Sequence, residues 1–566
     1  MRSPQTSSVK RNSRLQLLWN KVTVPKSSAI LIPGPPMKKH LLLCCSILIC
    51  TFTILSNSAF ADNQLLRTYM EQSIANQETG IANIDSINRL YIENHYQPLW
   101  SEAGVFAPQL PTLLTEIEES AKHGFQLSRY HYTEVTDTTL PREIRDVLLT
   151  DALFSQIQHR TSGIVNRKTI DNDQANWFIE PQNQTPETLV RTLLAQPEMM
   201  GTTLQNLWPE HPDYWALIKK RSELVAQQPN ERPPLVFEKL LKPGSDSDDI
   251  RILKNRLWGE GDHSTRFDQQ LEAEIRALQR HAGLEPDGVI GSATLAVLNV
   301  SPRAQIAQID ANLERWRWLP RDIPGAHIRV NIASFRLRVF EQQTQILEMD
   351  VIVGRPYRQT PVFTERLKYL VLNPYWNVPP SIARKDKLPL LRSDAISLSS
   401  LGYEARTNET PDFVSVDKLD WTQIKPGQFV LRQRPGNHNA LGKIKFMLPN
   451  VHDVYLHDTP DKVLFSKTER LFSSGCIRLS DPELLARWLL EREQNPASTR
   501  LGELFSANET TTLYLTKPIP VYMVYLTVFI GDDGEVVFRR DIYGRDQAII
   551  DALNNTTPLQ QHMTSP

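Results

Sequence analysis

The apolar pattern of this chain changes period once, at Pro324, and no single-class fold accommodates that change. Upstream, apolar residues recur at helical spacing: Leu113, Leu114 and Ile117 form one stripe within 110–121, and 148–157 repeats it. Downstream, 327–340 alternates with Ile328, Val330 and Ile332 on one face, and 347–353 and 369–372 continue the alternation. A chain of 566 residues has room for about three domains at roughly 150 each. The expectation is a multidomain α+β protein with its helices first and a β-rich domain behind them.

The helical part divides in two. Residues 62–235 read as a scaffold domain in which Tyr91, Tyr96, Trp100, Trp208, Tyr214 and Trp215 pack helices together, and Pro229, Pro233 and Pro234 mark a linker at its end. A second unit spans 244–300: one helix from Asp249 carries Ile250, Leu253 and Leu257, and another carries Phe267, Leu271, Ile275 and Leu278. A tight turn, Asp287-Gly288-Val289-Ile290-Gly291, then precedes a short helix with Thr294, Leu295 and Leu298. That turn and the helix after it resemble the three-helix peptidoglycan-binding module, although a bundle of this size also serves as a plain spacer. A linker helix within 301–324 leads into the strands.

The first 61 residues read as an export segment. Met37-Lys38-Lys39 precedes the uncharged run 41–55, and Ala59-Phe60-Ala61 has the small-residue spacing of a cleavage site, with Met37 as the expected start. The competing reading is an uncleaved anchor. Either way the expected compartment is the periplasm, and Cys44, Cys45 and Cys50 fall within the segment, so Cys476 is the one thiol of the exported chain. A lone thiol in an oxidising compartment points to reactivity. Lys plus Arg at 63 nearly cancels Asp plus Glu at 64, which argues against nucleic acid as the main partner.

Cys476 has a base in prospect. The stretch 454–457 alternates, placing Tyr455 and His457 on one face, and the turn Ser473-Ser474-Gly475 leads into Cys476. A free thiol has a pKa of about 8.5 and attacks carbonyl carbon as the thiolate, so an imidazole within reach would activate it. Ser480 and Glu483 have the spacing of a capping box that would start the helix behind the nucleophile. The Pro-rich stretch 370–381, with Tyr375 and Trp376, reads as a cleft wall.

Five stretches together resemble the L,D-transpeptidase catalytic domain: V-N-I-A-S-F-R-L-R-V-F, V-G-R-P-Y-R-Q-T-P-V-F, N-P-Y-W-N-V-P-P-S-I-A, P-G-N-H-N-A-L-G-K-I-K-F, and His457 with S-S-G-C-I-R. The resemblance covers 325–492 and extends to the large periplasmic members, which join a helical scaffold and a wall-binding module to the catalytic domain. It implies Cys476 as nucleophile, His457 as base and acid, and the amides of Gly475 and Cys476 as oxyanion donors. Arg478 is expected to hold a substrate carboxylate, with a structural salt bridge as the alternative; Ser474, Tyr455 and Trp376 are expected substrate contacts. One departure stands out: Ser474 occupies a position where many members have a second histidine. The insertion 383–434 is expected to be a substrate cap, and 493–566 to hold further strands and a tail, with a hairpin at 532–534.

The implied activity is cross-linking of peptidoglycan stems between third-position diamino acids through a thioester, without metal or other cofactor. Tetrapeptide stems are the expected donor and acceptor, carbapenem-type β-lactams the expected inhibitors, and stem-trimming wall enzymes the expected suppliers. Three rivals remain: an L,D-carboxypeptidase in which water is the acceptor, a zinc hydrolase using His452, His457 and Cys476, and a wall-binding protein without catalysis.

Overall fold

Alternating apolar residues build a sheet whose last strand in chain order is an interior one. The computed structural model describes residues 64–75, 80–102, 105–167, 170, 177–179, 186–227 and 233–555, and the export segment lies outside them. The described residues belong to one unit, Asp62–Pro566. From Pro324 onward the strands, in chain order, are β1 (His327–Asn331), β2 (Arg336–Glu341), β3 (Thr344–Gly354), β4 (Phe363–Leu372), β5 (Trp376–Asn377), β6 (Tyr403–Thr407), β7 (Val414–Ser415), β8 (Phe429–Gln433), β9 (Ile444–Met447), β10 (Leu456–His457), β11 (Leu471–Ser473), β12 (Ile477–Leu479) and β13 (Thr511–Val524). The main sheet runs β11-β3-β12-β10-β9-β4-β13-β1-β2, and β2 pairs back onto β3, so the sheet closes on itself.

The closed sheet reaches past the segment expected to hold it. β13 pairs antiparallel with β4 and parallel with β1, so the catalytic domain drawn at 325–492 lacks one of its own central strands. Pro518 and Pro520 lie within β13, where a register shift between Tyr514 and Ile519 accommodates them without ending the strand. The hairpin at 532–534 forms as expected, joining Val528–Ile530 to Val536–Phe538.

The scaffold does not stand apart from the sheet. One hydrophobic core contains Leu113, Ile117 and Leu149 from the front half together with Ile328, Val330 and Leu456 from the sheet. The helix Pro302–Arg317, expected as a linker, is the axle between them. Its Glu314 accepts from Val165 N (2.7 Å), Arg317 Nη2 (2.9 Å) and Trp318 Nε1 (3.1 Å). On the sheet side Asn312 exchanges two hydrogen bonds with Thr527, and Arg315 pairs with Asp546 at 2.5 Å. This explains why β1 is buried at all five positions: its outward residues meet the scaffold, where Arg329 pairs with Asp213 and lies over the ring of Trp316. The expected aromatic packing is there too, with Tyr91 donating to Asp146 (2.7 Å) and Trp100 to Thr150 (3.0 Å).

The small unit has a separate core of Leu241, Ile250, Leu253, Phe267, Leu271, Ile275 and Ile290 under three helices, Asp248–Trp258, Gln269–Ala282 and Ser292–Leu298. Buried Gln279 stitches the D-G-V-I-G turn to the second helix: its amide donates to Asp287, Val289 O and Thr294, and its carbonyl accepts from Gly288 N. Satisfying so many polar atoms with one side chain fixes the turn, which explains its legibility.

The insertion is a folded subdomain, not a loop. A π-turn (Ala383–Lys387), the helix Leu388–Ser400 and the sheet β5-β8-β6-β7 enclose a third core that includes Leu391, Tyr403, Trp421 and Leu431. Trp376, at 9 % exposure, belongs to this core, so the cap begins before 383.

Behind the nucleophile, Ser480 does not cap. Its N–H donates to Asp350 O, and the helix Pro482–Arg492 starts one residue later with Asp481 accepting from Leu484 N at 3.0 Å. Glu483 points forward to Arg487 and not back to a cap.

Candidate active site

Two short strands bring the candidate residues together. β10 and β12 are parallel neighbours, with Leu456 opposite Ile477 and His457 opposite Arg478, and one step back the same register sets Tyr455 beside Cys476. Side chains alternate along a strand, so Tyr455, His457, Cys476 and Arg478 share one face while Leu456 and Ile477 fill the core. Lys445 on β9 lies opposite His457 and joins that face. The thiol and the imidazole are diagonal neighbours on that face.

His457 is buried, and its Nδ1 lies 2.5 Å from the carbonyl oxygen of Asp458. A carbonyl only accepts, so Nδ1 carries the proton and Nε2 is left with its lone pair. Burial, followed by the charge of Arg478, lowers the imidazole pKa to about 3. Cys476 is half-buried and its S–H donates to Asp453 O at 3.7 Å. Burial pushes the thiol pKa up; the backbone N–H and hydroxyl of Tyr455, then Lys445 and Arg478, pull it down. At rest both the thiol and the imidazole are therefore neutral.

Tyr455 does more than was expected of it. It sits beside Cys476 in the strand register and helps to pull the thiol pKa down, while burial and then Cys476 raise its own. Trp376 lies in the core of the inserted subdomain, against which Tyr455 packs, so its buried ring does not line an open cleft. Lys445, with Nζ 3.9 Å from the centroid of the Tyr455 ring, was missed. Its signal was available: in L-G-K-I-K-F the alternation places Lys445 and Lys443 on the face away from Ile444 and Phe446.

The nucleophile turn is built by glycines. Gly475 has φ +118°, a conformation other residues avoid, and Gly354 opposite has no room for a Cβ, which would sit 2.1 Å from Arg358 O. Thr360 Oγ1 accepts from Gly354 N (3.0 Å) and donates to Gly475 O (2.9 Å), tying the two together. Gly475 N–H donates to Ser473 Oγ at 3.1 Å, so this expected oxyanion donor is already committed and the Cys476 amide stays the candidate of the two.

Arg478 forms the salt bridge of its second alternative, Nη1 pairing with Asp461 at 3.2 Å, while its buried Nε has no partner. Exposed Ser474 accepts from Arg358 Nη1 at 2.9 Å. His452 packs against Phe178 and Phe363, with ring centroids at 4.4 and 5.2 Å, and no three metal-ligating side chains gather among the described residues, so the zinc trio is not assembled.

Three family descriptions match the chain: a scaffold domain at 85–220, a putative peptidoglycan binding domain at 246–298 and the L,D-transpeptidase catalytic domain at 325–509. A protein of Haemophilus influenzae named putative L,D-transpeptidase is 36% identical over 232 residues, 40% of this chain and 47% of that protein, so the match spans about half the relative's length. Among solved structures, an L,D-transpeptidase from Xylanimonas cellulosilytica is similar at 13% identity and TM-score 0.17, covering 52% of this chain and all of that one. One from Mycobacterium smegmatis is similar at 15% and 0.16, covering 35% of this chain and 59% of its own.

Proposed function

Since this chain belongs to the L,D-transpeptidase family and joins that catalytic domain to scaffold and peptidoglycan-binding domains, we propose that it cross-links peptidoglycan stems through a thioester on Cys476. The observation that carries the reading is the shared sheet face of Cys476, Tyr455, His457, Arg478 and Lys445.

As a donor carbonyl approaches the sulfur, Nε2 of His457 takes the thiol proton and the carbon–sulfur bond forms. Charge gathers on the carbonyl oxygen, for which the Cys476 amide is the proposed donor; one such donor is typically worth about 3 to 4 kcal/mol. Collapse breaks the L,D amide bond, and His457 returns its proton to the departing D-alanine amine. The side-chain amine of a neighbouring stem then attacks the thioester, loses a proton to His457, and forms the new amide as the thiol is restored. The cap supports transfer over hydrolysis by covering the thioester. The proposed compartment is the periplasm, a reading supported by the export-type pattern of the first 61 residues.

Incubating the protein with tetrapeptide stems tests the reading by mass spectrometry. Cross-linked dimers and free D-alanine are expected, with both lost in Cys476→Ala. Tripeptides without dimers would replace transfer by hydrolysis, and product from Cys476→Ala would remove the thiol from the mechanism.

A further inference from the structure

Arg358 had no role in the expectations above, yet it is the link between cap and nucleophile. It forms a two-pronged ion pair with Asp386, Nη1 to Oδ2 at 2.6 Å and Nη2 to Oδ1 at 3.0 Å, while Nη1 also donates to Ser474 Oγ at 2.9 Å. Ser474 stands two residues before Cys476, and Asp386 sits in the π-turn at the root of the cap.

The two partners are anchored differently. The loop bearing Arg358 is fixed to the closed sheet: Thr360 bonds to Gly475 O, Tyr543 donates to Gly354 O at 2.6 Å, and Arg545 donates to Gln359 at 2.7 Å. Asp386 belongs instead to the cap, whose core is separate. The pair is also open, with 21 % of the Arg358 side chain and 41 % of Asp386 exposed, so water screens it and another carboxylate can reach the guanidinium.

The surroundings select an anion. Arg355 is near enough to press down the pKa values of both Arg478 and Asp386, and Lys387 adds to the field on Asp386. Three arginines thus flank the turn before Cys476, Arg358 through Ser474, Arg355 through its N–H to Ser473 O and Arg478 two residues beyond the thiol, and Asp386 is the carboxylate that answers Arg358. A planar fork that binds one carboxylate in two-pronged fashion is equally suited to another.

We infer that Arg358 is a specificity-determining residue that binds the free α-carboxylate of the residue leaving the donor stem, and that Asp386 occupies this place until substrate exchanges with it. The inference rests on the donor reading above. In this exchange the arriving carboxylate both seats the scissile bond near Cys476 and unlatches the cap.

The two halves of one ion pair should then respond in opposite directions. Full-length Cys476→Ala serves as parent, titrated by calorimetry with a tetrapeptide stem as the free acid and as its C-terminal amide, alone and with Arg358→Lys or Asp386→Asn added. Expected are at least tenfold weaker binding of the acid with Arg358→Lys, several-fold tighter binding with Asp386→Asn, and amide binding moved by neither. The inference is overturned if the parent does not distinguish acid from amide or binds neither, if both changes weaken the acid, or if they shift acid and amide alike, as a purely structural latch would. Thermal melting of each variant separates loss of fold from loss of contact. Turnover by the Cys476 protein is scored in parallel, so absence of cross-linking with this binding pattern intact counts against the proposed function alone.

Discussion

Cys476 is held between opposing influences. Its surroundings desolvate the thiolate, while Tyr455, Lys445 and Arg478 supply the donors and charge that partly restore it. Tyr455→Phe removes the hydroxyl and leaves the backbone N–H, so the thiol pKa rises further. Alkylation of Cys476 by iodoacetamide across pH should accordingly follow a curve displaced to higher pH, with a rate at pH 8 several-fold below the parent's. An unchanged curve would mean that the hydroxyl does not reach the sulfur. The thiol, its base and Arg478 were legible as residue types and spacing. The commitment of Gly475 N–H to Ser473 was not, because a hydrogen bond between near neighbours leaves no periodic trace.

Among elements, the helix behind the nucleophile gives the sharpest contrast between pattern and packing. Ser480 and Glu483 match a capping box, but strand pairing claims the Ser480 N–H first, and the cap passes to Asp481. Asp481→Ala should therefore cost about 1 kcal/mol in denaturant unfolding and Ser480→Ala a few tenths; the reverse order would restore the capping box. The insertion offers a second contrast. Its strands β5, β6, β7 and β8 are too short to show alternation, and its core forms only when Trp376 and Leu431 arrive from outside the helical stretch.

At the scale of the molecule, scaffold and closed sheet share one core around the helix Pro302–Arg317, and several histidines are buried within it. Burial lowers His123 to about 2, His159 to about 3 and His327 to about 4, each with arginine charge adding to the shift, and His457 also falls to about 3. These groups stay neutral in the folded chain and regain a pKa near 6.5 on unfolding. The unfolded chain thus binds more protons below pH 6.5, and stability present above that pH is lost as pH falls toward 4. Each histidine contributes a slope of about 1.4 kcal/mol per pH unit across its window. Asp146, raised to about 6 by burial, opposes this, as does Asp546, which burial also raises. Melting temperatures should therefore fall steadily from pH 7 to pH 4.5, and a plateau over that range would show that these rings meet water.

The amino-acid sequence alone determined the order of helices and strands, the thiol and its base, and the glycine turn that presents them, because each is written in local spacing and residue chemistry. Tertiary structure decided that β13 completes the closed sheet, that the presumed linker helix is the axle of a shared core, and that Arg358 joins the cap to Ser474. Those features depend on contacts between segments far apart in the chain, where the partner, and not the local pattern, determines what a residue does.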